Sequence, residues 1–219
     1  MLRAVLLDVD GTLVDSNDAH AHAWVDVLAE SERSVPFETV RRLIGMGGDQ
    51  LLPRVAGLSD DSPEGQRLSR RRMEVFRERY LPTIRPFPGA RDLVARMRAD
   101  RRRLIVASSA KEEELNRLLE IAGVRDLVHA TTSSDDAERS KPAPDIVSVA
   151  LTLAGVGHDA AILLGDTPYD VAAACKAGVG TIALRCGGWN DHDLAGAVAI
   201  YDDPADVLAR YDTSPLAPR

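Results

Sequence analysis

Two aspartates stand close together after the first apolar segment of the chain. The segment Ala4–Leu7 is typical of a buried strand, and it is followed by Asp8, Asp10 and Gly11. In an extended chain, residues two positions apart point to the same side, so we expect both carboxylates to face one spot. Two such charges about 4 Å apart repel by roughly 4 kcal/mol at an effective dielectric constant near 20. The spacing therefore predicts a bound cation or a shared proton, with a solvated acidic turn as the alternative.

Polar residues also follow later apolar segments. Ser108 and Ser109 come directly after one of them, and Asp166 follows another after a single glycine. A serine hydroxyl beside the free amides of a helix start is suited to binding phosphate, although Ser109 could equally be a helix cap. Because open parallel sheets place their sites beyond the carboxyl ends of the strands, we expect these side chains to lie near the two aspartates.

A lysine and a further aspartate extend this set. Lys141 precedes Pro142, which restricts it to extended conformations, and a lysine held in this way can present its charge to a phosphate group. Asp170 stands three residues after Thr167, a spacing typical of a reciprocal helix cap. Direct contact of Asp170 with a metal is the alternative, and both roles together are possible.

The order of the predicted elements indicates an α/β fold. From about residue 90 onward, predicted helices alternate with short apolar strands, which implies a parallel sheet covered by helices on both faces. Only helices are predicted between the first strand and this alternation. We therefore expect a doubly wound, Rossmann-like core formed by residues 1–15 and 83–219, with an inserted α-helical cap formed by residues 16–82. The end of the chain after Tyr211 contains two prolines and is expected to be frayed.

Composition disfavours several classes of protein. The net charge of −7 gives no help in binding nucleic acid, and the arginine runs 70–72 and 101–103 are interpreted as solvated surface. Cys175 and Cys186 match no zinc or disulfide pattern and are interpreted as small core residues. No signal peptide is evident, and no apolar run approaches the roughly 20 residues of a membrane span. We therefore expect a cytoplasmic protein without a membrane partner.

Together, these residues resemble the four motifs of the haloacid dehalogenase-like hydrolase superfamily. The first motif, D-x-D-G-T-L-x-D-S, is matched from Asp8 to Ser16. Ser108 matches the second motif, Lys141 in its K-P-x-P context resembles the third, and residues 165–170 resemble the fourth, G-D-x-x-x-D. The motifs occur in the superfamily's order, each in the expected place relative to a predicted strand.

The resemblance implies a magnesium-dependent phosphatase of the branch with a helical cap. In that superfamily the first aspartate, here Asp8, forms a covalent aspartyl phosphate. The second, here Asp10, acts as general acid and base, and its backbone carbonyl helps to hold Mg²⁺ beside Asp8. The other implied roles are Asp166 as a magnesium ligand, Ser108, Ser109 and Lys141 as phosphate-binding residues, Thr12 as a support for Asp10, and Asp170 as a support for the metal site or Lys141.

The expected substrate is a small phosphorylated metabolite of the phosphoglycolate or sugar-phosphate type. Specificity is expected to reside in the cap, at His20, Gly47 and Gly48, although the glycines could equally be plain connectors. A monomer and a homodimer are both compatible with the sequence.

A phosphosugar mutase resembling beta-phosphoglucomutase is the main alternative, because His20 and Trp24 match positions of that enzyme's cap. An arginine of its cap loop is missing here, and an acidic residue of its fourth motif is replaced by Gly165. A haloacid dehalogenase is disfavoured by the presence of Asp10. A non-catalytic binding protein is disfavoured because it would not need the complete set of motifs.

Overall fold

The structure, a computed structural model, describes residues 1–218 and contains a parallel sheet of six strands in the order β3-β2-β1-β4-β5-β6. The strands are β1 (Ala4–Leu7), β2 (Arg103–Ala107), β3 (Ala130–Thr132), β4 (Ala161–Gly165), β5 (Gly180–Leu184) and β6 (Ala199–Tyr201). The strand order reverses at β1, which has β2 on one side and β4 on the other. The predicted doubly wound, Rossmann-like parallel sheet is confirmed.

Side chains alternate between the two faces of the central strand. Val5 and Leu7 belong to one hydrophobic cluster, whereas Ala4 and Leu6 belong to another, and all four are fully buried. A strand that is covered on both faces reads as a continuous apolar run, which explains why β1 shows no polar alternation.

Residues 17–83, all of which the structure describes, contain four α-helices and no β-strand. They are α1 (Asn17–Glu30), α2 (Phe37–Arg41), α3 (Gly48–Ala56) and α4 (Pro63–Val75), and a π-helical turn (Phe76–Tyr80) follows α4 directly. The remaining helices are α5 (Ala90–Ala99), α6 (Glu112–Ala122), α7 (Asp145–Ala154), α8 (Pro168–Lys176) and α9 (Pro204–Ala209). Among residues 1–218, no helix has both the length and the apolar character that crossing a bilayer requires.

The C-terminal segment is packed, so the prediction of fraying after Tyr211 is wrong for the described residues. Tyr211 and Leu216 are buried, and the guanidinium of Arg102 donates a 3.1 Å hydrogen bond to the Leu216 carbonyl and another to the Leu2 carbonyl. Arg102 is itself buried, so it departs from the predicted solvated surface. Its charge is accommodated because main-chain carbonyls accept its hydrogen bonds.

The two cysteines differ from each other in exposure. Cys175 is exposed, so its interpretation as a core residue is wrong, whereas Cys186 is half-buried and donates to the Gly11 carbonyl at 3.3 Å. Both are free thiols.

Candidate functional site

Three buried carboxylates converge at the point where the strand order reverses. Asp8 follows β1 and Asp166 follows β4, and these two strands are neighbours in the sheet. Asp170 lies in the first turn of α8. One carboxylate oxygen from each of the three lies within 4.8 Å of the others. Gly11 makes this approach possible, because its φ of +70° suits glycine and a Cβ there would lie 2.2 Å from Asp166 Oδ2.

Lys141 supplies a single positive charge to this group. Its side chain is only 1% exposed, and Nζ lies 2.6 Å from Asp8 Oδ1 and 2.7 Å from Asp170 Oδ1. Burial alone would lower the pKa of Lys141, but the adjacent Asp170 and Asp8 raise it above its ordinary value. Lys141 therefore remains a cation and leaves an excess of negative charge among the carboxylates.

The carboxylates respond to this excess in their own pKa values. Burial raises the pKa of Asp8 to about 7, even though Lys141 opposes the shift. Burial, together with Asp8 and Asp170, raises the pKa of Asp166 well above its ordinary value. Ionised carboxylates are costly in a buried site when no cation compensates their charge. The three carboxylates and the single ammonium leave two negative charges, and oxygen donors of this charge fit a hard divalent cation such as Mg²⁺.

Asp170 serves the helix and the lysine at the same time. Its Oδ2 accepts a 3.0 Å hydrogen bond from the Thr167 backbone N–H, while the Thr167 hydroxyl accepts the Asp170 N–H at 3.2 Å. This is the reciprocal helix cap that the spacing predicts. Its other oxygen, Oδ1, contacts Lys141, so the same side chain orients the ammonium that faces Asp8.

Thr12 and Asn17 orient two of these buried carboxylates. The Thr12 hydroxyl lies 2.9 Å from Asp166 Oδ1 and 3.2 Å from Asp8 Oδ2, so it contacts these two aspartates. It does not contact Asp10, which was the partner expected from the motif resemblance. The Asn17 amide donates to Asp166 Oδ2 at 2.8 Å and to the Gly187 carbonyl at 3.3 Å. Asn17 was not identified from the sequence as a residue of the site.

Asp10 has a different set of partners from Asp8. Its Oδ1 accepts hydrogen bonds from Ser16 at 2.5 Å and from the His20 ring at 2.6 Å. Burial alone would raise the pKa of Asp10, but His20, Ser16 and the charge of Arg72 outweigh it and lower the pKa. The two aspartates of the first motif thus have pKa values shifted in opposite directions, which is common where two carboxyl groups perform different chemical steps.

Arg72 holds the His20 ring in one tautomer. A guanidinium can only donate, so its contact with His20 Nδ1 favours the tautomer in which Nδ1 accepts and Nε2 donates to Asp10. Arg72 also forms a 2.6 Å ion pair with Glu114 of α6, and the two side chains are only 12% and 9% exposed. The interpretation of residues 70–72 as solvated surface is therefore wrong for Arg72. It links one of the inserted helices to a helix of the sheet region.

The two serines after β2 have different surroundings. The Ser108 hydroxyl accepts the Ala110 N–H at 3.0 Å, which leaves its own hydrogen free. The Ser109 hydroxyl is buried and has no hydrogen-bond partner among the described residues. Ser109 lines the same cavity as Asp8. Ser109 does not cap the next helix, because the N-cap of α6 is Lys111. A free, buried hydroxyl at this place is suited to a phosphoryl oxygen.

A cavity of about 780 Å³ connects these groups to the inserted helices. It is lined by Asp8, Asp10, His20, Trp24, Gly47, Gly48 and Ser109, among others. A Cβ on Gly47 would lie 2.1 Å from the Ser140 hydroxyl, so the close approach to the segment before Lys141 requires glycine there. A Cβ on Gly48, the first residue of α3, would meet only ordinary contacts, the nearest being 3.8 Å from Trp24, so packing does not require glycine there.

The loop after β5 lies directly against Asp166 and was not found from the sequence. A Cβ on Gly187 would lie 1.9 Å from Asp166 Oδ2. The Gly187 carbonyl accepts a 2.6 Å hydrogen bond from Arg41 of α2, in addition to the one from Asn17. The pair of glycines that follows the strand was the available signal, since a main chain can approach a site closely only where side chains are absent.

Several known proteins are similar to this chain over nearly its whole length. The phosphoglycolate phosphatase of Rhodospirillum rubrum is 32% identical, over 94% of this chain and 90% of its own length. The N-acetylmuramic acid 6-phosphate phosphatase of Pseudomonas aeruginosa is 27% identical, over 94% and 93%. The crystal structure of a hydrolase from Pseudomonas syringae superposes with a TM-score of 0.89 at 26% identity, over 96% and 98% of the two chains.

The resemblance found in the motifs is also confirmed by a family model. The model described as haloacid dehalogenase-like hydrolase matches residues 5–184, a range that includes all of the motif residues from Asp8 to Asp170. The chain therefore belongs to the haloacid dehalogenase-like hydrolase family, and it is an enzyme.

Proposed function

We propose that this enzyme is a Mg²⁺-dependent phosphatase that hydrolyses a small phosphorylated metabolite through an aspartyl phosphate on Asp8. The observation that carries the proposal is the buried group of Asp8, Asp166 and Asp170 around a single lysine. The relatives named as phosphatases support a phosphate monoester of the phosphoglycolate or sugar-phosphate type as the substrate.

Asp8, Asp166 and the backbone carbonyl of Asp10 would hold the metal ion. When bound, Mg²⁺ supplies positive charge that neutralises the carboxylates and the phosphoryl oxygens. Lys141, Ser108 and Ser109 would bind the remaining phosphoryl oxygens, because the Lys141 ammonium contacts Asp8 and the Ser109 hydroxyl has no partner among the described residues.

The reaction takes place in two steps at two aspartates. A carboxylate oxygen of Asp8 attacks phosphorus, and the bond from phosphorus to the leaving alcohol breaks while Asp10 gives a proton to the alcohol oxygen. Water then attacks the phosphorus of the aspartyl phosphate while Asp10 takes a proton from the water. The bond between phosphorus and Asp8 breaks, which releases inorganic phosphate and restores both side chains.

The lowered pKa of Asp10 keeps its carboxylate ionised, so it is available to take a proton in the second step. For the first step it must be protonated, and a phosphoryl dianion close to the carboxylate favours the protonated form. The hydrogen bond from His20 holds the carboxylate in position during both steps.

The proposed activity is tested by measuring phosphate release from phosphoglycolate and from a panel of sugar phosphates. We expect turnover with Mg²⁺ and none after exhaustive chelation with EDTA, and undiminished turnover in EDTA would contradict the proposal. Adding a bisphosphate sugar primer separates the mutase alternative, which would form an isomeric sugar phosphate without net release of phosphate.

Replacing Asn17 by alanine is expected to weaken Mg²⁺ binding about tenfold, because the Asp166 carboxylate loses the amide that orients it. The measurement is the Mg²⁺ concentration that gives half of the maximal thermal shift. Asn116→Ala on α6, away from the cavity, is the matched control. An unchanged Mg²⁺ midpoint in Asn17→Ala would show that this amide does not position the ligand.

Replacing Arg72 by methionine is expected to lower kcat roughly tenfold with little change in KM, because His20 loses the donor that fixes its tautomer. Methionine keeps apolar packing against Trp24 and Phe76. Arg67→Met, at a largely exposed position of the same helix, is the control. If both variants behave alike, Arg72 is not a positioning residue.

Without metal, the stability of the protein is expected to fall as the pH rises from about 4 to about 7. The pKa of Asp8 rises to about 7 in the folded state, so the folded protein holds a proton that the unfolded chain has already lost. The proton on Asp8 therefore stabilises the folded state fully at pH values below the pKa of Asp8 in the unfolded chain. This contribution is lost as the pH rises through the pKa of Asp8 in the folded protein. The pKa of Asp166 shifts in the same direction.

Thermal unfolding with and without Mg²⁺ checks this pH dependence. We expect Mg²⁺ to raise the melting temperature more at about pH 8 than at about pH 5, where protons compete for the carboxylates. Asp166→Asn should flatten the dependence in the metal-free protein. A Mg²⁺ effect equal at both pH values would contradict the electrostatic account of the site.

A further inference from the structure

The cavity wall carries several acidic residues in addition to the aspartates of the first motif. Those without an ion-pair partner among residues 1–218 are Asp49, Asp60, Asp61, Glu112 and Glu138. They come from α3, from the loop before α4, from the start of α6 and from the segment that leads to Lys141. The negative charge therefore extends over both sides of the cavity.

Few cations of the cavity wall are available to offset this charge. Arg72 is engaged by Glu114 at 2.6 Å, and Lys111 by Asp135 at 2.7 Å. Within residues 1–218, Arg70 is the single lysine or arginine of the wall that has no carboxylate partner. An anionic group on the substrate would thus meet one cation and five carboxylates that have no ion-pair partner among residues 1–218.

Asp49 brings this charge close to the reacting groups. Its Oδ2 accepts a 3.1 Å hydrogen bond from the backbone N–H of Ser140, the residue before Lys141. Burial and the charges of Asp61 and Asp49 raise the pKa of Asp60, which indicates that these three carboxylates share one region of the wall.

A neutral hydrogen-bonding group is also free in the wall. The Ser134 hydroxyl is buried and has no partner among the described residues, and Ser134 lines the same cavity as Asp8. A buried hydroxyl of this kind can donate to, or accept from, a hydroxyl group of a ligand.

We propose that the cavity selects phosphate monoesters whose alcohol part is neutral and hydroxylated, and that it rejects esters carrying a second anionic group. This inference rests on the proposed phosphatase function and deepens it. The wall would repel a carboxylate or a second phosphate, whereas the hydroxyls of a sugar or polyol can bond to both the carboxylates and Ser134. The inference favours the sugar-phosphate type of substrate over the phosphoglycolate type.

Two pairs of esters that differ mainly in one charged group test the proposal. They are 2-hydroxyethyl phosphate against phosphoglycolate, and glucitol 6-phosphate against 6-phosphogluconate. In at least one pair we expect kcat/KM to be higher for the neutral alcohol by about tenfold. This preference should diminish as salt is raised from about 0.05 M to about 0.5 M, because salt screens charges in an open cavity.

The double variant Asp60→Asn/Asp61→Asn assigns the preference to the wall. We expect the ratio of kcat/KM values within a pair to fall about threefold or more toward unity. Glu120→Gln, at an exposed position of α6 outside the cavity, should leave the ratio unchanged. Glu112→Gln/Glu138→Gln, at exposed positions, provides a second test if the first variant is poorly folded.

The outcomes separate this inference from the proposed function. If every ester fails to release phosphate with Mg²⁺, the proposed function is wrong and the charge preference falls with it. If esters are hydrolysed but the carboxylate-bearing member of each pair is used equally well or better, only the charge preference is wrong. A preference that both double variants leave unchanged would also overturn it.

Discussion

Asp8→Asn is expected to reduce kcat by at least ~10⁴-fold while the protein remains folded. Asparagine has nearly the same shape, so the contacts around β1 are preserved, but its amide oxygen is a very poor nucleophile. The variant also removes a charge that the site disfavours, since burial raises the pKa of Asp8 to about 7. We therefore expect the metal-free variant to be no less stable than the parent at about pH 8.

The measurement combines steady-state turnover with thermal unfolding. Asp212→Asn, an exposed aspartate paired with Arg96, is the matched control and should keep full activity. A folded Asp8→Asn protein that retains more than about one hundredth of the parental kcat would contradict the role of Asp8 as nucleophile.

Asp10→Asn is expected to reduce kcat by about 10³-fold, within the usual range for loss of a general acid and base. The two steps should be affected differently according to the leaving group. With p-nitrophenyl phosphate, whose leaving group needs no proton, Asp8 can still be phosphorylated. Activation of water by Asp10 is lost in either case, so the aspartyl phosphate should accumulate.

Rapid mixing with p-nitrophenyl phosphate checks this difference. We expect a burst of p-nitrophenol followed by slow turnover in Asp10→Asn. Asp15→Asn changes an exposed aspartate of the same motif and serves as the control. If Asp10→Asn shows no burst, and if p-nitrophenyl phosphate and an alkyl phosphate ester are slowed equally, the separate roles of Asp8 and Asp10 are contradicted.

The meeting of Asp8 with Asp166 could be predicted because it depends on one general rule. The carboxyl ends of adjacent parallel strands lie at one edge of the sheet. This rule acts through the apolar runs of β1 and β4, which are visible in the sequence. The cap formed by Thr167 and Asp170 is local as well, so its spacing was sufficient to predict it.

Other contacts of the site could not be predicted because no local pattern determines them. Asn17 meets Asp166 across 149 positions of the chain, and Arg72 meets Glu114 across 42. An arginine in a basic run is usually solvated, and only tertiary contacts, namely the ion pair with Glu114 and the rings of Trp24 and Phe76, bury this one. The partner of Thr12 was predicted wrongly for a related reason, because Thr12 lies close to both Asp8 and Asp10 in sequence and only the position of Asp166 decides between them.

Trapping the covalent intermediate tests the central claim most directly. The enzyme is quenched in acid during turnover with Mg²⁺, treated with borohydride, and digested for mass spectrometry. We expect Asp8 to be converted to homoserine through its acyl phosphate, with no conversion in EDTA or in Asp8→Asn. Sustained turnover with Asp8 unmodified, or conversion at a different carboxylate, would contradict the account.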